Sequence, residues 1–304
     1  MELLYTLESL RNGLFDKFFT YITILGEEGA LLLVVMLVYW CINKKQGLYI
    51  LYLGLLNSGI NACLKLVFRI PRPWVKDSDF TIVEAARGEA TGYSFPSGHT
   101  QNAAAYLGGI ARLSKNKILK AFIIMLILLV ALSRMYLGVH TPVDVGVSLV
   151  IGLLFVFIAY PFFNQREDKI HWAFAFLIFI LLLSVLFIEF YHFPQDVDLA
   201  NLSNGKKNIY LTLGASLGMV LTYYIDKRYI KFDTKAVWWV QMIKLVVGIA
   251  LVMGFRIFSK EPLLKLCNGS EIANGIRYFS MMIIAGILWP LSFKWLNKLS
   301  NKNN

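Results

Sequence analysis

Three short stretches of this sequence combine charged, hydroxyl and imidazole side chains within an otherwise apolar chain. Ionisable residues inside or beside membrane helices are costly, so each is a functional candidate by default. Together they supply the cations, imidazoles and carboxylate that transfer of a phosphoryl group requires. The stretches are Lys65 with Arg72 and Pro73; Pro96, Ser97, Gly98 and His99; and Ser133 and Arg134 with His140 and Asp144.

The cationic residues could neutralise a bound phosphate. Phosphoryl transfer needs mainly neutralisation of the equatorial oxygens and alignment of the attacking and leaving atoms. Lys65, Arg72 and Arg134 supply positive charge, and an arginine can bind two oxygens at once. Ser97 and Gly98 stand at a predicted helix start, where free N–H groups and the helix dipole favour an anion. A glycine there also lets the backbone approach the phosphate closely. We therefore expect a phosphate site that uses no metal ion or other cofactor.

The two histidines could perform the covalent and proton-transfer steps. His140 and Asp144 are four residues apart, so their side chains share one face if a helix begins near residue 141. A carboxylate that holds one imidazole nitrogen leaves the other unprotonated and free to attack phosphorus. His99 is then available to protonate the leaving oxygen and later to take a proton from water. A single histidine at a helix end is more often a cap or a packed residue. The catalytic interpretation therefore depends on the combined spacing of all three stretches.

The composition indicates a membrane protein. Of 304 residues, 57% are hydrophobic and only 16% are charged, with a mean hydropathy of +0.59. This excludes a disordered chain and argues against an ordinary soluble enzyme. The net charge of +11 comes from lysines and arginines clustered between apolar runs, which is typical of membrane-flanking loops and predicts no nucleic-acid partner. The three widely spaced cysteines favour neither a disulfide framework nor a zinc site.

Apolar runs predict an all-α, polytopic bundle of about nine transmembrane helices. Residues 1–25 are predicted to contain an interfacial helix, 26–163 to form the catalytic core, and 164–304 to form a C-terminal helical membrane region of unknown role. The third span is rich in Ala and Gly, which favours a helix packed inside the bundle. The predicted spans are 29–42, 47–68, 99–113, 118–133, 143–163, 172–191, 210–225, 236–258 and 278–295.

The three stretches closely resemble the signature of the type-2 phosphatidic acid phosphatase and haloperoxidase superfamily. That signature is Lys, six residues, Arg-Pro; then Pro-Ser-Gly-His; then Ser-Arg, five residues, His, three residues, Asp, and this chain meets it at every position. The resemblance covers about 26–163 and implies a phosphatidic acid phosphatase-like core. It implies that His140 forms a phosphohistidine, that Asp144 orients it and that His99 is the acid and base. Phosphate binding would fall to Lys65, Arg72, Ser97, Gly98 and Arg134.

The leading hypothesis is a metal-independent membrane phosphatase that acts on a lipid-linked phosphate, either a phosphatidate-type monoester or an isoprenyl pyrophosphate such as undecaprenyl pyrophosphate. The catalytic stretches lie at the ends of spans, where a lipid headgroup would sit. A sugar-phosphate phosphatase of the glucose-6-phosphatase type is the alternative within this chemistry. A vanadium haloperoxidase fits a chain with many spans poorly. A transporter or scaffold with a degenerate site is the non-enzymatic alternative, and the oligomeric state stays open.

Charge also predicts sidedness. Basic residues prevail in the loops 44–45, 112–120 and 226–235, whereas the loops that hold the catalytic stretches carry acidic and basic residues in similar number. Positively charged loops favour the cytoplasm. We therefore expect an active site that faces the extracytoplasmic side, in a bacterial inner membrane.

Overall fold

The computed structural model describes residues 1–301, and within that range the regular secondary structure is entirely helical. The predicted all-α fold is confirmed. The helices are α1 (Glu2–Ser9), α2 (Gly13–Thr23), α3 (Glu28–Leu37), α4 (Lys44–Phe68), α5 (Pro73–Lys76), α6 (Gly98–Leu113), α7 (Lys117–Tyr136), α8 (Pro142–Asn164), α9 (Ile170–Phe190), α10 (Leu199–Ile225), α11 (Trp238–Phe258), α12 (Lys260–Leu266), α13 (Ile272–Ile283), α14 (Trp289–Leu291) and α15 (Phe293–Asn301).

Seven helical segments of the described chain are long and apolar enough to cross a membrane, and they include α4, α7, α8, α9, α10, α11 and α13. An eighth candidate is the pair Gly13–Gly26 and Glu28–Ile42, which is bent by 51°. The chain is thus an integral membrane protein, and its described residues hold seven or eight candidate spans where the sequence predicted about nine. The predicted third span forms α6, which has only 16 residues, and the predicted first span is one arm of the bent pair.

The described chain divides into two compact units that interleave along the sequence. The first unit consists of Met1–Leu31, Leu56–Pro161 and Tyr191–Gly205. The second consists of Leu32–Leu55, Phe162–Phe190 and the chain from Lys206 onwards. The domain limits predicted at residues 25 and 163 stay predictions, and residues 302–304, the end of the predicted C-terminal region, lie outside the described residues.

Small residues allow α6 to be packed closely in the first unit. Ala103, Ala104 and Ala105 on α6 are fully buried. A Cβ atom added at Gly152 on α8 would stand 2.6 Å from the Ala104 Cβ atom and 3.0 Å from the Gln101 carbonyl oxygen. Small residues let helix backbones approach each other in this way. The close contact fixes the position of α6, and with it the Ser97–His99 segment at its start.

Replacement of Gly152 by alanine should therefore destabilise the protein. Overpacking of this kind typically costs about 1–3 kcal/mol, so we expect a lower Tm in detergent. Gly146, on the same helix, is the matched control because no atom lies within 4 Å of its added Cβ position. Gly146→Ala should leave the Tm unchanged or raise it, since alanine favours helix. Equal Tm values for the two variants would contradict this packing.

Candidate active site

His140 is buried in the turn between α7 and α8, and its two ring nitrogens have different partners. Its Nε2 atom lies 2.9 Å from Arg72 Nη1. A guanidinium group can only donate, so Nε2 is the acceptor and the ring proton resides on Nδ1. Nδ1 stands 3.5 Å from Asp144 Oδ2 and 3.5 Å from Ser94 Oγ. This tautomer leaves the Nε2 lone pair as the accepting one.

Asp144 is fixed by the first turn of α8. Its Oδ2 atom accepts hydrogen bonds from the Thr141 backbone N–H at 2.7 Å and from Ser94 Oγ at 2.6 Å. Thr141 Oγ1 in turn accepts from the Asp144 N–H at 3.3 Å, which completes a reciprocal cap of the helix start. The predicted His140–Asp144 pairing is present, and helix capping determines where the carboxylate lies.

Ser94 is a site residue that sequence reasoning did not single out. Its hydroxyl donates to Asp144 and lies beside His140 Nδ1, so it links the two side chains. The position stands two residues before Pro96 in the second stretch, but no spacing rule distinguishes it from any other buried serine. Only the fold brings the loop before α6 against the start of α8.

Arg72 links its own loop to the segments 91–92 and 139–140 by hydrogen bonds. Its Nη1 atom donates to the Val139 carbonyl oxygen at 2.9 Å, in addition to His140. Nε donates to the Gly92 carbonyl oxygen at 3.1 Å and Nη2 to that of Thr91 at 2.7 Å. These carbonyl groups hold the buried guanidinium within hydrogen-bonding distance of the imidazole. The arginine predicted to bind phosphate is therefore also an element of the local structure.

Two further cations complete the positive charge. The Lys65 ammonium donates to the Tyr93 carbonyl oxygen. Arg134 Nη1 donates to Thr23 Oγ1 at 2.7 Å, whereas Arg134 Nε and Nη2 are buried without a hydrogen-bond partner among the described residues. Among the described residues, His99 Nε2 is also buried without a hydrogen-bond partner. Unpaired buried donors are expensive, at about 1–3 kcal/mol each and more when charged. Such donors indicate a site built for an anion.

The start of α6 is held by side chains on both sides. Ser97 caps the helix, because its Oγ accepts from the Thr100 N–H at 3.4 Å, and its own N–H donates to the Asp144 carbonyl oxygen at 3.2 Å. A Cβ atom added at Gly98 would meet only Asn61 Oδ1, at 3.5 Å. Packing within the protein therefore does not require glycine at this position. Close approach of a ligand to the backbone would require glycine there.

A buried amide network supports the same loop. Asn61 on α4 donates from Nδ2 to the Pro96 carbonyl oxygen at 3.2 Å and to Gln101 Oε1 at 2.9 Å. Gln101 on α6 donates in turn to the Asn57 carbonyl oxygen at 3.1 Å. These amides lie inside apolar helices, where an unsatisfied polar group would be costly. The network fixes the 96–98 segment relative to α4.

Electrostatics keep His140 neutral. Burial and the nearby positive charges of Arg72, Lys65 and Arg134 lower the pKa of His140 well below its ordinary value. An imidazole must be neutral to act as a nucleophile, so this environment suits attack at neutral pH. His99 interacts electrostatically with the same three cations. The fold thus brings both predicted histidines into one cationic cluster with Lys65, Arg72 and Arg134.

Comparison with known proteins identifies the family of this chain. Residues 46–168 match the model of the PAP2 superfamily, and residues 210–302 match that of the PAP2 superfamily phosphatase transmembrane extension. An undecaprenyl-diphosphatase from Bacillus subtilis is 31% identical over 156 residues, which is 51% of this chain and 78% of that protein. The chain belongs to the PAP2 superfamily. It is accordingly a phosphoric ester or pyrophosphate hydrolase, and the resemblance noted from its three stretches is confirmed.

Two eukaryotic PAP2 relatives match over more of the chain. A probable sphingosine-1-phosphate phosphatase from Dictyostelium discoideum is 26% identical over 250 residues, 75% of this chain and 58% of that protein. A dihydrosphingosine 1-phosphate phosphatase from Schizosaccharomyces pombe is 24% identical over 281 residues, 86% of this chain and 66% of that protein. No solved structure matches the chain significantly.

The link through Ser94 in this PAP2 site can be tested by substitution. Ser94→Ala removes the donor to Asp144 and the neighbour of His140 Nδ1, so kcat should fall about tenfold, the effect of losing roughly 1.5 kcal/mol from a hydrogen bond to a charged group. Ser148→Ala is the matched control, because Ser148 is buried on the same helix as Asp144 and donates to the Asp144 backbone oxygen rather than to its carboxylate. It should retain full kcat. Equal kcat values for the two variants would show that the Ser94 hydroxyl does not contribute to catalysis.

Proposed function

We propose that this PAP2 protein hydrolyses a lipid-linked phosphate, either a phosphatidate-type monoester or an isoprenyl pyrophosphate, through a phosphohistidine intermediate on His140. One observation carries the proposal. Buried donors of Arg134 that have no partner within the described part of the chain accompany an imidazole whose Nε2 is the accepting nitrogen. A phosphate group would satisfy those donors and present its phosphorus to Nε2.

The first chemical step forms one bond and breaks another. A phosphate oxygen replaces Nε2 as the partner of Arg72 Nη1, which frees the Nε2 lone pair. Nε2 then bonds to phosphorus as the bond between phosphorus and the leaving oxygen breaks. His99, in its protonated form, donates a proton to that leaving oxygen and becomes neutral. Asp144 and Ser94 stabilise the positive charge that develops on the His140 ring.

The second step regenerates the enzyme. Water attacks phosphorus and gives its proton to His99, the bond between phosphorus and Nε2 breaks, and inorganic phosphate departs. Lys65, Arg72 and Arg134 neutralise the equatorial oxygens in both steps, with the N–H groups at the start of α6. No oxidant or reductant is required. The same residues therefore serve both half-reactions.

The location of the site supports a lipid substrate. Lys65, Arg134 and Asp144 lie on α4, α7 and α8, which are all candidate membrane spans. Each is near a helix end, where a headgroup could reach the site while its chains remain in the bilayer. Relatives named for undecaprenyl diphosphate and sphingoid phosphates are consistent with this class of substrate.

A substrate panel with two variants tests the proposal. Purified protein in detergent should release phosphate from phosphatidate or isoprenyl pyrophosphate faster than from a sugar phosphate. His140→Ala should abolish release, whereas Asp144→Asn should lower it less, because the attacking nitrogen survives. Faster release from the sugar phosphate would favour the glucose-6-phosphatase type of activity. Full activity in His140→Ala would overturn the mechanism.

The cationic cluster predicts that hydrolysis is independent of divalent metal. Within the described residues, no three His, Cys, Asp or Glu side chains are grouped to hold a metal ion, and the phosphate charge falls to Lys65, Arg72 and Arg134. Phosphate release should therefore survive excess chelator. Vanadate should inhibit it, because it adopts a five-coordinate geometry like that of the transition state. A strict magnesium requirement without vanadate inhibition would contradict this assignment.

We further propose that the site opens to the extracytoplasmic side of a bacterial inner membrane. α6 begins at the site and α7 ends there, so the turn between them lies one helix length away, about 30 Å for 20 residues. That turn belongs to the basic 112–120 segment, and basic loops favour the cytoplasm. In a bacterium the site would then meet the phosphates of spent lipid carriers and envelope lipids.

Thiol labelling tests this orientation. In a background that lacks Cys41, Cys63 and Cys267, a cysteine at Asp79 should react with an impermeant reagent in intact cells, and a cysteine at Lys117 should not. Labelling of both positions after permeabilisation is the control. The reverse pattern in intact cells would place the active site in the cytoplasm.

A further inference from the structure

A cavity of about 300 Å³ lies within the second compact unit, and none of its lining residues belongs to the catalytic site. Its walls come from helix ends: Lys44 begins α4, Phe163 is near the end of α8, Ile170 begins α9 and Tyr223 is in the last turn of α10. Because these helices are candidate membrane spans, the cavity lies at the depth of lipid headgroups. Its volume is at the lower end of the range for small-ligand sites.

The cavity is electropositive. Two of its lysines are paired with carboxylates: Lys44 Nζ is 2.7 Å from Asp226 Oδ2, and Lys45 contacts Glu167. Lys227 and Lys231 also line the cavity, and neither has a carboxylate within 4 Å among the described residues. Lys227 Nζ donates to the Tyr223 hydroxyl oxygen at 3.3 Å and lies 5.5 Å from the centre of the same ring. Two ammonium charges therefore face the cavity without an acidic partner.

A strained turn holds one of these lysines at the cavity wall. The last residues of α10 continue as a π-helical turn, Asp226–Ile230, which ends at Lys231 with a φ of 48°. This left-handed conformation is uncommon for a residue other than glycine. The Lys231 N–H donates to the Asp226 carbonyl oxygen at 2.9 Å, and the Phe232 N–H donates to Asp226 Oδ1 at 3.3 Å. The turn fixes Lys231 beside Lys227.

Part of the cavity lining is apolar. Leu48, Phe163 and Ile170 line it and are buried, whereas Lys227 and Lys231 are exposed. A ligand that satisfied both surfaces would carry negative charge at one end and hydrocarbon at the other. Inorganic phosphate matches the charged part only, and a neutral or zwitterionic lipid leaves the excess ammonium charge unmet.

We infer that this cavity binds the phosphate-bearing headgroup of an anionic membrane lipid that is not the substrate. Basic pockets between membrane helices on the cytoplasmic side bind such headgroups. The segments that supply the lysines, 44–45 and 226–235, are those that charge assigns to the cytoplasm. The phosphate contacts Lys227 and Lys231, and the glycerol and first methylenes lie against Leu48 and Phe163.

Binding of short-chain phosphatidylglycerol to the full-length protein in detergent tests the inference. Its phosphate is a diester with no terminal phosphate to release. The double variant Lys227→Gln/Lys231→Gln should bind it at least tenfold more weakly than the unsubstituted protein. Lys115→Gln/Lys117→Gln, which removes two exposed lysines from another basic loop, should bind it within twofold of the original affinity. Both variants should retain phosphate release and Tm, which shows that they fold.

Two further ligands identify the source of the phosphate. Phosphatidylcholine of the same chain length should bind at least tenfold more weakly than phosphatidylglycerol, and inorganic phosphate should not compete at equal concentration. Undiminished phosphatidylglycerol binding by the Lys227→Gln/Lys231→Gln protein would overturn the inference. Equal binding of phosphatidylcholine, or equal competition by inorganic phosphate, would also overturn it.

Discussion

Burial of several positive charges in one place is the constraint on which the rest of the site depends. Lys65, Arg72 and Arg134 influence one another and His140 at short range within the protein interior. Backbone carbonyl groups of the 91–93 loop and of Val139 offset part of that charge. Among the described residues, Arg134 Nε and Nη2 remain without a hydrogen-bond partner. A phosphate dianion would balance this charge. Burial, together with the same cations, lowers the pKa of His140.

Such a cluster needs a rigid surrounding, and small or amide side chains provide it. Gly26 lets the turn after α2 approach the start of α6, since an added Cβ would lie 2.7 Å from the His99 carbonyl oxygen. Gly152 does the same between α6 and α8. The buried amides of Asn61 and Gln101 fix the loop before α6. These contacts position His99 and Ser97 without any further charged group.

The sequence predicted which side chains lie near one another, because spacing on helices constrains their positions. His140 and Asp144 do share the start of a helix, and the cations do converge. It could not predict Ser94, because a loop serine acquires its partners only when the chain folds. Nor could it predict that Arg72 is held by three carbonyl groups, since backbone acceptors carry no residue-type signal. The second unit was predicted only as apolar helices, and its basic cavity arises from helix ends that are distant in sequence.

The direct test of the account is the identity of the phosphorylated atom during turnover. Protein mixed with substrate labelled in the phosphate to be released is quenched within milliseconds, and the labelled peptide and bond are identified by mass spectrometry and phosphorus NMR. We expect an acid-labile bond from phosphorus to Nε2 of His140, formed and lost at rates compatible with kcat. Turnover without a labelled intermediate, or label on any other side chain, would contradict it.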